Sequence, residues 1–237
     1  MTHNFTDIRQ EEAFYHTTHY QNFTIDSLDS WLGYPVKGLV NLGLKLADSA
    51  ETMSFLDLGC GVGRNAIPIV QASRSATLKI DCVDILPTAI DQFSQYAQDN
   101  HLLKSFNFYT SDISEFEFAN KAYEYIFSVS TLEHLKNIEQ LEKTLTAIKK
   151  ATKKAGYVYL VINSAVTERL IEQQQEISPF LEINLSTVQM MTLLTSVFND
   201  WTIKHSETKD LSFEIERSIG RTEMTTKAIT FIAQKRQ

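Results

Sequence analysis

A short apolar run that ends in three closely spaced glycines is the feature that most constrains this chain. Residues 55–58 read Phe-Leu-Asp-Leu, and Gly59, Gly61 and Gly63 follow at alternate positions. Glycine leaves room for a ligand beside the backbone and permits positive φ angles in a tight turn. Pro68 fits the first turn of a helix, where a missing N–H costs little. The segment therefore predicts a buried strand, a glycine turn and a helix in succession.

The same alternation of strand and helix continues through most of the chain. Apolar stretches predict further strands at residues 78–83, 106–110, 123–129, 157–162, 201–206 and 228–233. Helical patterns are found at residues 35–47, from Pro87 onward, at 138–148 and from Ser186 onward. Strands joined by crossover helices pair in parallel, with right-handed connections. The chain is therefore predicted to be an α/β protein with a mostly parallel sheet.

Two of these helices have a defined start and a defined buried face. Pro87 fits the first helical position, and the apolar face of that helix is predicted to hold Ala89, Ile90, Phe93 and Ala97. Ser186 and Gln189 form a capping box, and the inward positions that follow are predicted to be Val188, Met191, Leu194 and Phe198. The polar segment between the last two strands is predicted to be a hairpin connection.

Two segments depart from this alternation. Residues 1–50 precede the first strand and contain aromatic and histidine side chains at 14–20. They predict a helical cap that packs on the main domain, a lid over its site, or both. Residues 164–185 are rich in Gln and Glu and contain Pro179, which predicts a lid-like insertion in a main domain of residues 51–237.

Composition excludes several classes of function. The net charge of −7 argues against non-specific binding of nucleic acid, which requires clustered Lys and Arg. No apolar run approaches the roughly 20 residues of a membrane span, and the first ten residues are too polar for a signal peptide. The neighbours of Cys60 and Cys82 are unlike any metal-ligand spacing, so no metal site is predicted. The expected compartment is the cytosol.

Carboxylates follow three of the predicted strands. In parallel sheets, ligands bind outside the carboxyl ends of the strands. Asp57 ends the first strand, Asp84 follows the second, and Asp112 follows the third. Asp84 can accept hydrogen bonds from both hydroxyls of a ribose, and Asp112 can accept one from an exocyclic amine such as that of adenine. Each alone is as easily a turn or cap residue, but the three together with the glycine turn predict a nucleoside site.

The glycine turn differs from both common phosphate-binding patterns. The dinucleotide fingerprint requires a third glycine at the position of Arg64, and a P-loop would require Gly-Lys-Ser/Thr at the close of a longer loop. A ligand that contains a nucleoside but no phosphate suits this turn better.

Residues 52–163 resemble the class I S-adenosylmethionine-dependent methyltransferases, whose sequence motifs occur here in the same order. The segments that carry the resemblance are Asp57–Gly63 as motif I, Asp84 as the motif II acid, Ser111–Ile113 as the adenine segment and Tyr125–Leu135 as motif IV with its sequel. The resemblance implies a Rossmann-like sheet of seven strands, the last one antiparallel in a terminal hairpin. The sequences at residues 63–65 and 184–186 look most like those of small-molecule methyltransferases of the tellurite-resistance and thiol-modifying kind.

The resemblance also implies a cofactor, S-adenosylmethionine, whose product is S-adenosylhomocysteine. Asp57 would lie near its ammonium group, and Asp84 would hold the ribose. Ser128 would line the methyl-donor end. The remaining cofactor-binding positions implied are Gly59, Cys60, Gly61 and Gly63 along the methionyl part, and Ile85, Asp112 and Ile113 around adenine.

The catalytic role and the acceptor stay open at this stage. His134 is the best-placed candidate for a general base, although a structural histidine in this turn is the favoured interpretation. His16 and His19 are further candidates if the N-terminal segment folds over the site. The acceptor is expected to be a small molecule, because residues 128–131 read Ser-Val-Ser-Thr and lack the Pro-Pro motif of DNA N-methyltransferases.

Two other functions and two oligomeric states are also compatible with the sequence. A catalytically silent S-adenosylmethionine-binding protein would carry the same motifs. A nicotinamide-dependent oxidoreductase is disfavoured by Arg64. The chain is expected to be a monomer or a homodimer.

Overall fold

One mixed sheet organises the part of the chain that the computed structural model describes, residues 3–75 and 77–237. Its strands are β1 (Ser54–Leu58), β2 (Lys79–Asp84), β3 (Phe106–Thr110), β4 (Tyr123–Val129), β5 (Thr152–Leu170), β6 (Gln175–Ile177), β7 (Thr202–Arg217) and β8 (Gly220–Gln234). The spatial order is β3-β2-β1-β4-β5-β8-β7, and β6 pairs with β5 outside this path. The first five strands pair in parallel, while β8 is antiparallel to both β5 and β7. This confirms the predicted Rossmann-like fold, with β6 as an additional short strand.

Helices cover both faces of the sheet. They are α1 (Phe5–Asn22), α2 (Lys37–Ala47), α3 (Ala66–Ala72), α4 (Pro87–Asp99), α5 (Ile138–Ala151) and α6 (Thr187–Val197). Successive side chains of a strand point to opposite faces, so Phe55 packs with α2, α3 and α4 while Leu56 packs with α5 and α6. In β4, Tyr125 likewise packs on the side of α2, α3 and α4, and Ile126 packs on the side of α5 and α6. No helix among the described residues has both the length and the apolar character needed to cross a membrane.

The predicted starts of two helices are confirmed, and one predicted buried face is corrected. Helix α4 begins at Pro87 and buries its four predicted apolar residues. Helix α6 follows the Ser186 capping box, but Val188 is 75% exposed and Met190 is buried in its place, with Leu194 and Phe198. Met190 and Met191 are adjacent in this helix, and so are Leu193 and Leu194. The sequence therefore fits two buried faces that differ by one residue in helical phase.

The C-terminal half of the sheet is more extended than predicted. Strand β5 continues through residues 164–170, so the first part of the expected insertion belongs to the sheet. The polar segment between the last two predicted strands is itself strand, and β7 and β8 pair as far as Arg217 and Gly220. Most side chains of β7 are exposed, so the strand has no apolar alternation that could be seen in sequence. The boundary of a cap at residues 1–50 stays a prediction.

Candidate active site

A cavity of about 500 Å³ lies at the carboxyl ends of the parallel strands, beneath α1. This size is within the range of ligand-binding pockets, roughly 300–1,000 Å³. Six predicted cofactor or catalytic residues line it, namely Gly59, Cys60, Gly61, Asp84, Ile85 and Asp112, together with the predicted base His134. An adjoining recess of about 50 Å³ adds Ile113 and Leu135. The strand-end rule therefore brings most of the predicted residues together.

The glycine turn exposes its backbone to this cavity. Gly59 has φ +73° and Gly61 has φ +52°, values that other residues rarely adopt. A Cβ at Gly59 would clash with the Thr131 side chain, and one at Gly61 would lie 2.8 Å from the Tyr20 hydroxyl. Gly63 is different, since a Cβ there would meet Phe93 in the core rather than the cavity. The first two glycines shape a cradle, and the third allows the following helix to pack.

Asp84 is fixed by two backbone amides. Its Oδ2 accepts a hydrogen bond from the Gly61 N–H at 2.8 Å, and its Oδ1 accepts one from the Leu86 N–H at 2.9 Å. Burial raises the pKa of this carboxyl, and the backbone hydrogen bonds oppose that rise. Each oxygen of a carboxylate can accept a second hydrogen bond. Asp84 therefore has the capacity to receive two hydroxyl donors from the cavity.

Asp112 is paired with α1. Its Oδ1 accepts hydrogen bonds from the backbone N–H and the hydroxyl of Ser114, both at 2.8 Å, and its Oδ2 lies 3.4 Å from the Arg9 guanidinium. Arg9 also donates to the His134 carbonyl at 2.7 Å, and its Nε lies 2.8 Å from a carboxylate oxygen of Glu182. The predicted adenine-binding acid is thus one of the anchors of α1.

Three predicted cofactor-binding residues, Gly63, Asp57 and Ser128, line neither the cavity nor the adjoining recess. Asp57 lies buried beneath the glycine turn. Among the described residues, its Oδ2 has no hydrogen-bond partner. Burial and the nearby Asp84 raise the pKa of Asp57 well above its usual range. The third, Ser128, is fully buried, and its hydroxyl donates to the Leu58 carbonyl at 2.9 Å, which joins β4 to β1.

His134 is surrounded by carboxylates. Its Nδ1 lies 2.9 Å from Glu182 Oε2, and its Nε2 lies 3.8 Å from Glu12 Oε2. Burial opposes the charged imidazole, but Glu12, the hydrogen bond to Glu182 and the charge of Glu133 outweigh it and raise the pKa to about 9. A histidine with this pKa is protonated at neutral pH and is a poor proton acceptor there. Its surroundings favour a hydrogen-bond donor and a positive charge over the predicted base.

A buried ion network joins α1 to the terminal strands. Arg217 on β7 donates from Nε to Glu168 at 2.9 Å and from its terminal nitrogen to Glu12 at 2.8 Å. Glu168 on β5 also accepts from the Thr222 hydroxyl at 2.7 Å and from the Phe180 N–H at 3.1 Å. Arg9, Glu12, Glu168 and Arg217 were not predicted from the sequence, because their partners are distant in the chain.

Aromatic side chains form much of the wall opposite the glycine turn. Tyr15, Tyr20 and Trp31 of the N-terminal segment line the cavity, whereas Phe14 and Tyr34 are 48% and 58% exposed outside it. The predicted candidate bases also separate: His16 lines the cavity, and His19 stacks on Trp31 with its Nε2 2.7 Å from the Ser30 hydroxyl.

Known proteins resemble this chain in sequence over its central part and in fold over most of its length. Residues 55–156 match the family described as a methyltransferase domain. A ubiquinone biosynthesis O-methyltransferase of Rickettsia akari is 31% identical over 88 residues, which are 37% of this chain and 32% of that relative. The chain therefore matches about a third of the length of this curated relative.

Solved structures have a similar fold over most of the chain. A SAM-dependent methyltransferase from Methanosarcina mazei has a TM-score of 0.59 at 16% identity, covering 81% of this chain and 96% of the other. TehB from Haemophilus influenzae has a TM-score of 0.59 at 17% identity, covering 83% and 62%. The strand order of the sheet is that of the α/β fold of these solved structures. Residues 55–156 of the chain are similar to a methyltransferase domain.

Proposed function

We propose that the protein transfers a methyl group from S-adenosylmethionine to a small-molecule acceptor. The observation that carries this proposal is the juxtaposition of the glycine cradle, the two available acceptor positions of Asp84 and the apolar recess beside Asp112 in one cavity. When bound, the cofactor supplies an electrophilic methyl group on a sulfonium sulfur, and the protein supplies binding and orientation.

The residues of the cavity fit each part of this cofactor. The backbone at Gly59 and Gly61 can lie against the methionyl chain, and Asp57 lies buried beneath this turn. Asp84 would accept the ribose hydroxyls. Ile85 and Ile113, which line the adjoining recess, would contact the adenine ring.

Helix α1 and the terminal strands would then exclude water from the acceptor. Alignment of two reactants in a closed site can lower a barrier by roughly 7–11 kcal/mol, so a transfer of this kind does not depend on a large set of catalytic groups. The acidic net charge favours a small acceptor over nucleic acid. The cytosolic location and the monomeric or homodimeric state remain predictions.

Calorimetric titration with S-adenosylhomocysteine tests the cofactor assignment. We expect saturable binding and a rise in Tm that grows with ligand concentration, because a ligand that binds only the folded state stabilises it. NADH serves as the comparison ligand and should give neither effect. Absence of binding to S-adenosylhomocysteine, or stabilisation by NADH instead, would contradict the proposal.

A catalytically silent binding protein is the competing function. It predicts the same calorimetric result, so it must be separated by product formation. Incubation with S-adenosylmethionine and a panel of hydroxyl, thiol and amine acceptors should yield S-adenosylhomocysteine above the rate of the acceptor-free control. Persistent lack of product in the presence of tight cofactor binding would favour the silent protein.

A further inference from the structure

Helix α1 spans the cavity from one end of the cavity to the other. Near the start of the helix, Arg9 contacts Asp112 beside the recess that contains Ile113. Near its end, the Tyr20 hydroxyl lies over Gly61 in the glycine turn. Arg9 and Tyr20 are eleven positions apart in the sequence, which corresponds to about 16 Å of helix. Side chains midway along α1 therefore face the middle of the cavity, between the nucleoside end and the methionyl end.

Three polar atoms converge at this midpoint. Glu12 Oε2 lies 3.6 Å from His16 Nε2 and 3.8 Å from His134 Nε2, and all three side chains line the cavity. Both distances exceed a normal hydrogen bond. The other carboxylate oxygen of Glu12 is held at 2.8 Å by Arg217, which fixes the orientation of the group. Glu12, His16 and His134 thus surround a point that a single polar atom of a ligand can occupy.

The charges around this point suit an oxygen that loses a proton. His134 is held protonated by Glu182 and Glu12, so its Nε2 is a charged donor toward that position. Glu12 lies beside His16 and can stabilise the imidazolium that forms when His16 accepts a proton. The other charged groups that act on this set are Glu182, Asp84, Arg217 and Glu133.

The surrounding wall is predominantly aromatic and apolar. Tyr15 and Trp31 flank His16, with ring centroids at 5.0 Å and 6.2 Å, while Phe180, Phe213 and Ile215 close the opposite side. Flat rings pack favourably against aromatic side chains. A planar aromatic compound could therefore lie in the cavity with one hydroxyl group at the polar midpoint.

We propose that Glu12, His16 and His134 form the site for the hydroxyl group of an aromatic methyl acceptor, with His16 as the base that accepts its proton. This inference rests on the proposed methyl transfer and specifies its acceptor. The hydroxyl proton moves from oxygen to His16 as an oxygen lone pair forms the bond to the methyl carbon. The carbon–sulfur bond breaks, and its electron pair remains on sulfur. His134 stabilises the developing negative charge on oxygen, and Glu12 positions both imidazoles.

Nitrophenols test this site without turnover, because their absorbance reports ionisation of the hydroxyl group. We would titrate 4-nitrophenol and 4-nitrocatechol with the full-length protein saturated with S-adenosylhomocysteine, over a range of pH. The bound probe is expected to ionise about one pH unit or more below the free probe, because a base and a protonated imidazole face its hydroxyl group. In His16→Gln, at least half of that shift should be lost.

His19→Gln is the matched control, since His19 lies on the same helix and outside the cavity. It should retain the full shift, and both variants should bind S-adenosylhomocysteine as the wild type does. No binding of either probe up to millimolar concentration, an unshifted bound probe, or a full shift in His16→Gln would each overturn the inference. If S-adenosylhomocysteine binds normally in those cases, the proposed cofactor function still stands; if it does not bind, both proposals fail.

Discussion

Asp84 is the residue on which the cofactor assignment depends most directly, because it holds the glycine turn and faces the cavity at once. Replacing Asp84 with Ala should weaken binding of S-adenosylhomocysteine more than about tenfold, as two charge-assisted hydrogen bonds to a ribose would be lost. Calorimetry measures the change, and thermal unfolding checks that the variant is folded.

Asp91→Ala provides a control of the same chemistry, since Asp91 is exposed on α4. It should leave the affinity unchanged. Equal affinities of Asp84→Ala and the wild type would remove Asp84 from the cofactor site.

His134 predicts a definite pH dependence of stability. Its pKa is raised from 6.5 to about 9 in the folded state, so the folded protein binds this proton more tightly than the unfolded chain. The resulting stabilisation is complete below pH 6.5 and is lost as the pH rises through 9. Urea unfolding should show that the difference between wild type and His134→Gln shrinks over this window, by up to about 3 kcal/mol. A difference that is constant from pH 6 to pH 10 would mean that the imidazole is not held protonated.

At the scale of single elements, the clearest local signal is the capping box of α6. The Ser186 hydroxyl accepts from the Gln189 N–H, and the Gln189 side chain accepts in turn from the Ser186 N–H. Ser186→Ala should lower the free energy of unfolding by about 1 kcal/mol. Ser196 lies exposed on the same helix, and Ser196→Ala should change it by less than about 0.5 kcal/mol. Chemical denaturation of the two variants compares the cap with an ordinary helical serine, and equal losses would argue against the cap.

Elements and site residues were predictable where the signal is local in the chain. Gly59, Gly61 and Asp84 were found because a parallel sheet gathers the residues that follow its strands. Arg217 could not be found, since it binds Glu12 across 205 positions of sequence. The surroundings of His134 were missed for the same reason. Glu182 and Glu12 come from segments whose position in the fold cannot be predicted from the alternation of strands and helices. The polar strand β7 lacked the apolar alternation on which strand prediction depends.

On the scale of the whole molecule, the Glu12–Arg217–Glu168 network joins α1 to strands β7 and β5. Removing the cation leaves two buried carboxylates without their partner, and such losses typically cost about 3–5 kcal/mol. We therefore expect Arg217→Met to lower the free energy of unfolding by that amount in urea denaturation. Arg221→Met is the control, because the Arg221 side chain is 49% exposed and its ion pair with Glu214 is weak.

Restoring the balance of charge in the network should recover stability. The triple variant Glu12→Gln, Glu168→Gln and Arg217→Met removes all three charges, and it should be more stable than Arg217→Met alone. If the triple variant is the less stable of the two, the network stabilises the fold through its hydrogen bonds rather than through mutual neutralisation.

Strand β7 has one further consequence, for how copies of this protein behave at high concentration. It ends the sheet in the part of the chain that the structure describes, and along 16 residues it pairs on one side with β8. An open strand of that length is a template for pairing with another chain. Lys204, Glu207, Lys209 and Asp210 follow one another closely along it, and their hydration opposes such contact. The polarity that made β7 hard to predict beyond residue 206 therefore also opposes pairing of this edge with another copy.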